Sequence, residues 1–127
     1  MSLIKKELKP LEEVLWDLKR KGQIHIALLY GSFAEGTPHG RSDIDLAIFL
    51  SPRDGKEEAD AVDRILMAVD RDISILRLDD EDESPFVVQK ALKGTHLVEP
   101  DKDTLYKVAD WALHESEGIR FRRALSA

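Results

Sequence analysis

The sequence contains no cysteine among its 127 residues. Disulfide bonds and metal sites built on thiolates are therefore excluded, and a reducing compartment suits the chain. Long hydrophobic runs are also missing, because the apolar stretches Ile24–Tyr30 and Ile44–Leu50 are far shorter than the about 20 residues that cross a bilayer. The N-terminal stretch MSLIKKELKP lacks the apolar centre of a signal peptide. We therefore expect a cytoplasmic protein that does not contact a membrane.

The sequence has fewer positively than negatively charged residues. The chain has 25 Asp and Glu against 19 Lys and Arg, which gives a formal net charge of −6. Broad nucleic-acid binding is not expected, since it needs an extended basic surface, whereas a small anion at one local site is compatible with this charge. A length of 127 residues, with 43% hydrophobic and 35% charged residues, fits a single globular domain over residues 1–127.

Hydrophobic periodicity predicts helices and strands in alternation. The predicted helices are Leu3–Lys21, a short one near Phe33–Glu35, Glu57–Val69, Phe86–Leu92 and Asp101–Ala124, and the predicted strands are Ile24–Tyr30, Ser42–Leu50, Asp72–Leu78 and Thr95–Val98. Pro10 is expected to end one helix or to begin another. This order predicts an α/β (α+β) fold with a small mixed sheet of about four strands flanked by helices.

Two carboxylates open the strand Ser42–Leu50. Side chains alternate between the faces of a strand, so Asp43 and Asp45 point the same way, about 6.6 Å apart, and the apolar residues between and after them face the other way. Two like charges this close stay ionised at low cost only if a cation lies between them. Mg²⁺ suits the position, because it prefers oxygen ligands and combines one or two carboxylates with substrate phosphates.

The Gly31-Ser32 pair directly follows the strand Ile24–Tyr30. Gly31 has no Cβ and lets the backbone approach a phosphate closely, while Ser32 offers a hydroxyl and an N–H to an anion. Gly36 and Gly40 allow the connecting segment to fold back toward Asp43 and Asp45. The stretch therefore predicts a phosphate-binding turn that faces a metal site.

A third carboxylate is needed if the reaction requires a general base or a second metal ion. Asp72 opens the next strand, DISILRL, and an adjacent strand would place it about 4.8 Å away across the sheet. Asp70, Asp79 and Asp80 are competing candidates. Asp72 is preferred because it immediately precedes the apolar alternation, as Asp43 does in its own strand.

The pattern Gly-Ser, ten residues, Asp-x-Asp resembles the nucleotidyltransferase signature of the DNA polymerase β superfamily. The short length and the segment SDIDLAIFL look most like the minimal nucleotidyltransferases (MNT), the antitoxin components of HEPN–MNT toxin–antitoxin pairs. By this resemblance Asp43 and Asp45 would bind Mg²⁺, Asp72 would complete an acidic triad, and Gly31 and Ser32 would hold the triphosphate of ATP. It also implies a polymerase β-type fold and transfer of AMP to a HEPN toxin.

Three functions stay open at the level of sequence. The first is adenylyl transfer from ATP by in-line attack on the α-phosphorus, assisted by two Mg²⁺ ions about 3.5–4 Å apart, onto a tyrosine hydroxyl of the HEPN partner. The second is a non-catalytic antitoxin that neutralises its partner by binding. The third is a small-molecule nucleotidyltransferase, for which 127 residues leave little room for an acceptor-binding domain. Homo- and hetero-oligomers both stay open.

Several other residues have a structural and a functional interpretation. His39 and Arg41 lie in the segment between the two motifs and could face substrate, and a solvated loop explains them as well. His25 is interpreted as a core or edge histidine, and Trp16 and Trp111 as packing residues. Arg120, Arg122 and Arg123 fit either a frayed helix end or a surface for an acidic partner.

Overall fold

The computed structural model describes residues 2–31 and 43–126, with side chains from Lys6 onward. The elements are α1 (Ser2–Arg20), β1 (Ile24–Tyr30), β2 (Ile44–Leu50), α2 (Gly55–Leu66), β3 (Ile73–Arg77), α3 (Pro85–Ala91), β4 (Thr95–His96) and α4 (Lys102–Ser126). This order confirms the predicted alternation of helices and strands, and the helix predicted near Phe33–Glu35 lies outside the described residues. No helix in the described part of the chain is long and apolar enough to cross a membrane.

The four strands form one mixed sheet in the order β3-β2-β1-β4. β1 runs antiparallel to both β2 and β4, and β2 runs parallel to β3. Leu46 of β2 lies opposite Leu29 of β1 and Ile75 of β3, so β2 is paired on both edges. The predicted small mixed sheet of about four strands is therefore confirmed, and its central strands are the two that carry the glycine turn and the aspartate pair.

Helices cover both faces of this sheet. On one face the fully buried Ile44, Leu46 and Ile48 of β2 pack with α1 and α2. On the other face Ala47 of β2 belongs to a second cluster with Leu28 of β1 and with buried residues of α3 and α4. Alternation along β2 thus separates the two cores, because neighbouring side chains of a strand point to opposite faces.

The prediction that Pro10 interrupts the first helix is wrong. α1 runs without a break from Ser2 to Arg20 and contains Pro10. Pro10 lacks the N–H that would bond to the carbonyl of Lys6, but it lies on the exposed side of α1, where water can satisfy that carbonyl. Leu11 and Leu15 on the opposite side are fully buried, and their burial outweighs the cost of the proline.

The helix boundaries shift by a few residues because of capping groups. α2 covers Gly55–Leu66 rather than Glu57–Val69, since the carboxylate of Asp54 accepts a hydrogen bond from the Glu57 N–H at 2.8 Å. α4 covers Lys102–Ser126 rather than Asp101–Ala124. Asp101 caps it by accepting from the Thr104 N–H at 3.2 Å.

The strand predicted at Thr95–Val98 is reduced to the two residues Thr95 and His96. Gly94, which precedes it, packs directly on the backbone of β1: a Cβ added there would lie 2.3 Å from the carbonyl oxygen of Leu29 and 3.0 Å from Cβ of Tyr30. Gly94 therefore lets the connection between α3 and β4 approach β1 more closely than any other residue would allow.

Replacing Gly94 with Ala should destabilise the protein by about 1–3 kcal/mol, the usual cost of adding a methyl group to a tightly packed site. Gly55→Ala is the matched control, because nothing lies within 4 Å of a Cβ at that position. It should be neutral or slightly stabilising, since alanine favours helix. Urea unfolding of both variants measures the difference. Equal stabilities would contradict the packing of Gly94 on β1.

Candidate active site

Asp43 and Asp45 lie at the start of β2 on the sheet face that α3 and α4 cover. Asp43 directly precedes the strand and is exposed, whereas Asp45 is half-buried within it and pairs with Tyr30 of β1. Ile44, between them, points into the opposite core and is fully buried. The two carboxylates therefore share a face, as the alternation in the sequence predicts.

The pKa of Asp45 is raised above its ordinary value. Burial is the largest cause, the negative charge of Asp43 adds to it, and the positive charge of Lys90 on α3 partly opposes it. The carboxylate pair thus disfavours its own full ionisation, and a bound cation would remove this penalty. Two carboxylates open to solvent on one side fit Mg²⁺, which takes carboxylate oxygens together with water and phosphate.

Gly31 brings the turn after β1 onto the carboxylate of Asp45. Its φ is +74°, a left-handed conformation that other residues adopt only with strain. A Cβ at Gly31 would lie 2.3 Å from the Oδ2 atom of Asp45, so the carboxylate occupies the space of the missing side chain. The structure thus brings Gly31 and Asp45 into contact. Ser32, the other residue predicted for the phosphate-binding turn, lies outside the described residues.

Asp72 lies beside Asp43 across the sheet. The carbonyl of Asp72 accepts a hydrogen bond from the Ile44 N–H at 2.9 Å, and the parallel register pairs Ile44 with Ile73. The Asp72 side chain is exposed. Among the described residues, no three or more His, Asp or Glu side chains form a group that could hold a metal ion. The backbone thus brings Asp72 to the edge where Asp43 lies, and its role as the third acid stays a prediction.

Two of the three competing carboxylates, Asp79 and Asp80, have other partners. Asp79 forms an ion pair with Arg77, with 2.7 Å between the charged atoms, and accepts a hydrogen bond from the Leu50 N–H at the opposite end of β2. Asp80 accepts from the N–H of Asp82 within its own loop at 2.9 Å. These two residues serve the structure of the loop after β3, and neither lies at the carboxylate edge.

Three residues near Asp45 or its strand partner Tyr30 were not singled out by the sequence. Tyr30 is half-buried, and its pKa is raised by burial and by the negative charges of Asp45 and Glu83. Lys90 contributes positive charge next to Asp45. The sequence could have pointed to Tyr30, because Tyr30 is the last residue of its strand and directly precedes Gly31. Glu83 and Lys90 carry no local signal, because only the packing of α3 on the sheet brings them here.

The structure also describes His25, Trp16 and Trp111, which the sequence analysis interpreted as packing or edge residues. His25 is a half-buried residue of β1 whose ring lies 6.0 Å from that of Phe49, which agrees with a packing role. Trp111 is partly buried against the core on the α4 side, whereas Trp16 is 38% exposed. His39 and Arg41 lie outside the described residues.

The chain belongs to the polymerase β nucleotidyltransferase family, whose family model matches residues 12–103. A search of curated proteins found no match. Among solved structures the chain is similar to a toxin–antitoxin complex with AMP-PNP, with a TM-score of 0.66, 21% identity, and coverage of 90% of this chain and 93% of that one.

Two further solved structures share the fold at lower identity. The MntA–HepT toxin–antitoxin complex aligns with a TM-score of 0.61 at 17% identity, over 91% of this chain and 92% of that one. A structure from Shewanella oneidensis aligns with a TM-score of 0.60 at 13% identity, over 91% of each chain. The resemblance found in Gly31–Leu50 is thus confirmed at the level of family and fold.

Replacing Gly31 with Ala should displace the carboxylate of Asp45 and abolish saturable binding of Mg²⁺-ATP at micromolar to millimolar concentration. Gly22→Ala is the matched control: its φ is +75°, but nothing lies within 4 Å of the added Cβ. Both variants should lose about 1 kcal/mol of stability from left-handed strain, and only the first should lose the ligand. Calorimetric titration checks this, and intact binding by folded Gly31→Ala would contradict the arrangement.

Proposed function

We propose that this protein is a Mg²⁺-dependent nucleotidyltransferase that transfers AMP from ATP to a tyrosine hydroxyl of a HEPN-family toxin, and so acts as the antitoxin. The observation that carries the proposal is the contact between Gly31 and Asp45. It joins the glycine turn and the aspartate pair into one site in a chain of the nucleotidyltransferase family.

The residues divide into a metal-binding and a phosphate-binding part. Asp43 and Asp45, with Asp72 as third acid, would hold Mg²⁺, and Gly31 and Ser32 would hold the triphosphate. When bound, the metal would neutralise charge on the phosphates and polarise the bond that breaks. The similar toxin–antitoxin structure with AMP-PNP supports an adenine nucleotide as the ligand.

The proposed reaction is a displacement at the α-phosphorus of ATP. The acceptor oxygen forms a bond to this phosphorus, and the bond from the phosphorus to the oxygen bridging to the β-phosphate breaks, so that pyrophosphate leaves. The proton of the acceptor hydroxyl passes to a carboxylate, for which Asp72 is the candidate. The protein contributes mainly by positioning the reactants and neutralising charge.

A protein acceptor agrees with the open form of the site. Asp43 and Asp72 are exposed at the edge of the sheet. Strands and covering helices account for most of the described residues, which leaves little chain for a closed acceptor pocket. An acceptor protein brings its own surface to such an edge. Fold similarity to toxin–antitoxin complexes supports a HEPN partner in this place.

A purely binding function is disfavoured by the electrostatics of Asp45. The pKa of Asp45 is raised by burial and by the negative charge of Asp43, so the ionised Asp45 lowers the stability of the free protein at neutral pH. A bound cation and nucleotide would offset this loss of stability. Neutralising a partner by binding alone does not require clustered carboxylates.

Asp43→Asn and Asp45→Asn should each reduce AMP transfer by about 100-fold or more, because each removes a metal-binding charge. Neither should destabilise the fold. Because the pKa of Asp45 is raised in the folded state, ionisation of Asp45 opposes folding as the pH rises. Asp45→Asn should therefore be most stabilising at neutral pH and lose this advantage as the pH falls toward the pKa. Asp63→Asn, exposed on α2, is the control, and full activity of Asp43→Asn would contradict the metal assignment.

Incubation of the protein with α-labelled ATP, Mg²⁺ and a HEPN-family protein from the same genome should label the HEPN protein. Asp72→Asn should abolish the label, while Asp70→Asn, an exposed neighbour, should retain it. Gel separation and mass spectrometry locate the modified tyrosine. Label that appears only on a free small molecule, or a HEPN protein that stays unmodified, would overturn the proposed acceptor.

A further inference from the structure

Helix α3 lies over the two central strands, on the face of the sheet that carries Asp45. Val88 and Ala91 of α3 are buried. They belong to the core cluster that contains Leu28 of β1 and Ala47 of β2. Leu28 and Ala47 are opposite each other in the antiparallel register, and Asp45 precedes Ala47 by two residues. Because alternate residues of a strand share a face, Asp45 lies on the same side of the sheet as α3.

Contacts at both ends hold α3 in place. In its first turn, the ring of Phe86 lies under Arg120 and Arg123 of α4, at 5.3 and 5.6 Å from its centroid to the two guanidinium groups. Just after its last residue, Gly94 packs on β1, where an added Cβ would lie 3.0 Å from Cβ of Tyr30. The last turn of α3 is therefore fixed close to the end of β1.

Lys90 lies in this last turn of α3. Tyr30, which the following residues contact, is paired with Asp45, so the turn is close to the carboxylate site. The positive charge of Lys90 acts on Asp45 and opposes the effect of Asp43. The Lys90 side chain is exposed, and among the described residues it forms no ion pair with a carboxylate. Lys90 thus supplies positive charge to the site without being held by one fixed partner.

A lysine at this position suits a phosphate ligand better than a metal ion. A cation bound by Asp43 and Asp45 would repel the ammonium group of Lys90, since both are positive. The triphosphate of ATP brings several negative charges and would attract both the metal ion and the ammonium group. Lysine is a common phosphate-binding residue, because its flexible stem and three N–H donors adapt to phosphate oxygens. The position of Lys90 therefore favours contact with phosphate.

We infer that Lys90 is a phosphate-binding residue of the nucleotide site, and that its ammonium group donates hydrogen bonds to the triphosphate of ATP beside the two aspartates. The inference rests on the proposed function for the identity of the nucleotide. Gly31 would then border the phosphates from β1, and Lys90 would border them from α3. The alternative role for Lys90 is that of a structural partner of Asp45, and it predicts different effects on metal binding and nucleotide binding.

The first measurement is calorimetric titration with Mg²⁺-ATP. Lys90→Ala should weaken binding about tenfold, as expected for loss of a hydrogen bond between charged groups. Lys90→Arg keeps the positive charge and should stay within about threefold of the unchanged protein. Lys107→Ala is the matched control, because Lys107 is also exposed on a helix of this sheet face but lines a cavity with Asp80 and Glu81 at the other end of the sheet. It should bind Mg²⁺-ATP normally.

The second measurement is binding of Mn²⁺ without nucleotide, followed by electron paramagnetic resonance. Mn²⁺ serves as the probe because it takes the same oxygen ligands as Mg²⁺. Lys90→Ala should bind Mn²⁺ about threefold more tightly, since the repulsion between the ammonium group and the metal ion is removed. Affinity for the metal alone and affinity for Mg²⁺-ATP should therefore change in opposite directions, which a purely structural role of Lys90 does not produce.

Circular dichroism verifies that the variants fold. Lys90→Ala should keep the fold, because Lys90 is exposed and alanine favours helix. Lys90→Gln removes the charge and keeps most of the side-chain length, and it replaces the alanine variant in both measurements if that variant unfolds. Normal Mg²⁺-ATP binding by the folded, uncharged variant would overturn the inference. Weaker binding of both Mn²⁺ and Mg²⁺-ATP would also overturn it, because Lys90 would then only support the structure of the site.

The outcomes separate this inference from the proposed function. If Lys90→Ala weakens Mg²⁺-ATP binding but the unchanged protein transfers no AMP to the HEPN protein, the role of Lys90 stands and the proposed activity fails. If AMP is transferred and Lys90→Ala binds Mg²⁺-ATP as tightly as the unchanged protein, the activity stands and the role of Lys90 fails. If the unchanged protein binds no Mg²⁺-ATP, both fail.

Discussion

The antiparallel pairing of β1 with β2 places Tyr30 opposite Asp45 and determines where the other parts of the site lie. Gly31 follows Tyr30, so the chain turns away from β1 directly beside the carboxylate of Asp45. β3 pairs with the other edge of β2 and brings Asp72 next to Asp43. A shift of this register by one residue would turn both aspartates into the apolar core and Ile44 toward solvent.

The site depends on a core that lies mostly on the opposite face of the same strand. Ile44, Leu46 and Ile48 are fully buried against α1 and α2, and this burial fixes the strand that carries the carboxylates. Burial and the charge of Asp43 raise the pKa of Asp45, so the free site is electrostatically unfavourable at neutral pH. The free energy gained by burying the apolar face of β2 thus offsets the electrostatic cost of placing two carboxylates on its other face.

Local patterns in the sequence were sufficient to predict the sheet and the face that the two aspartates share. The alternation around Ile44 predicts a strand with its carboxylates on one face, and the glycine after β1 predicts a turn. The same reasoning failed at Pro10, because the burial of Leu11 and Leu15 outweighs local helix propensity. Lys90 could not be predicted to lie near Asp45, since their proximity depends on how α3 packs on the sheet.

The structure adds a second, long-range difference between Asp72, which the sequence prefers as third acid, and its competitor Asp79. Asp79 and Asp72 flank the same strand, and both are followed or preceded by apolar alternation. The structure separates them because Asp79 pairs with Arg77 at one end of the sheet, while the carbonyl of Asp72 bonds to Ile44 at the other. Which residue lies across the sheet from an aspartate depends on the fold, so it cannot be read from a short stretch of sequence.

The close approach of Gly94 to the Leu29 carbonyl limits how the chain can vary in length. The connection between α3 and β4 rests on the backbone of β1, so an inserted residue there would have no space and would shift α3 relative to Asp45. The acidic loop before α3 is mostly exposed, and added residues there would extend into solvent. Relatives of this protein should therefore differ in length before α3 and keep a constant length between α3 and β4.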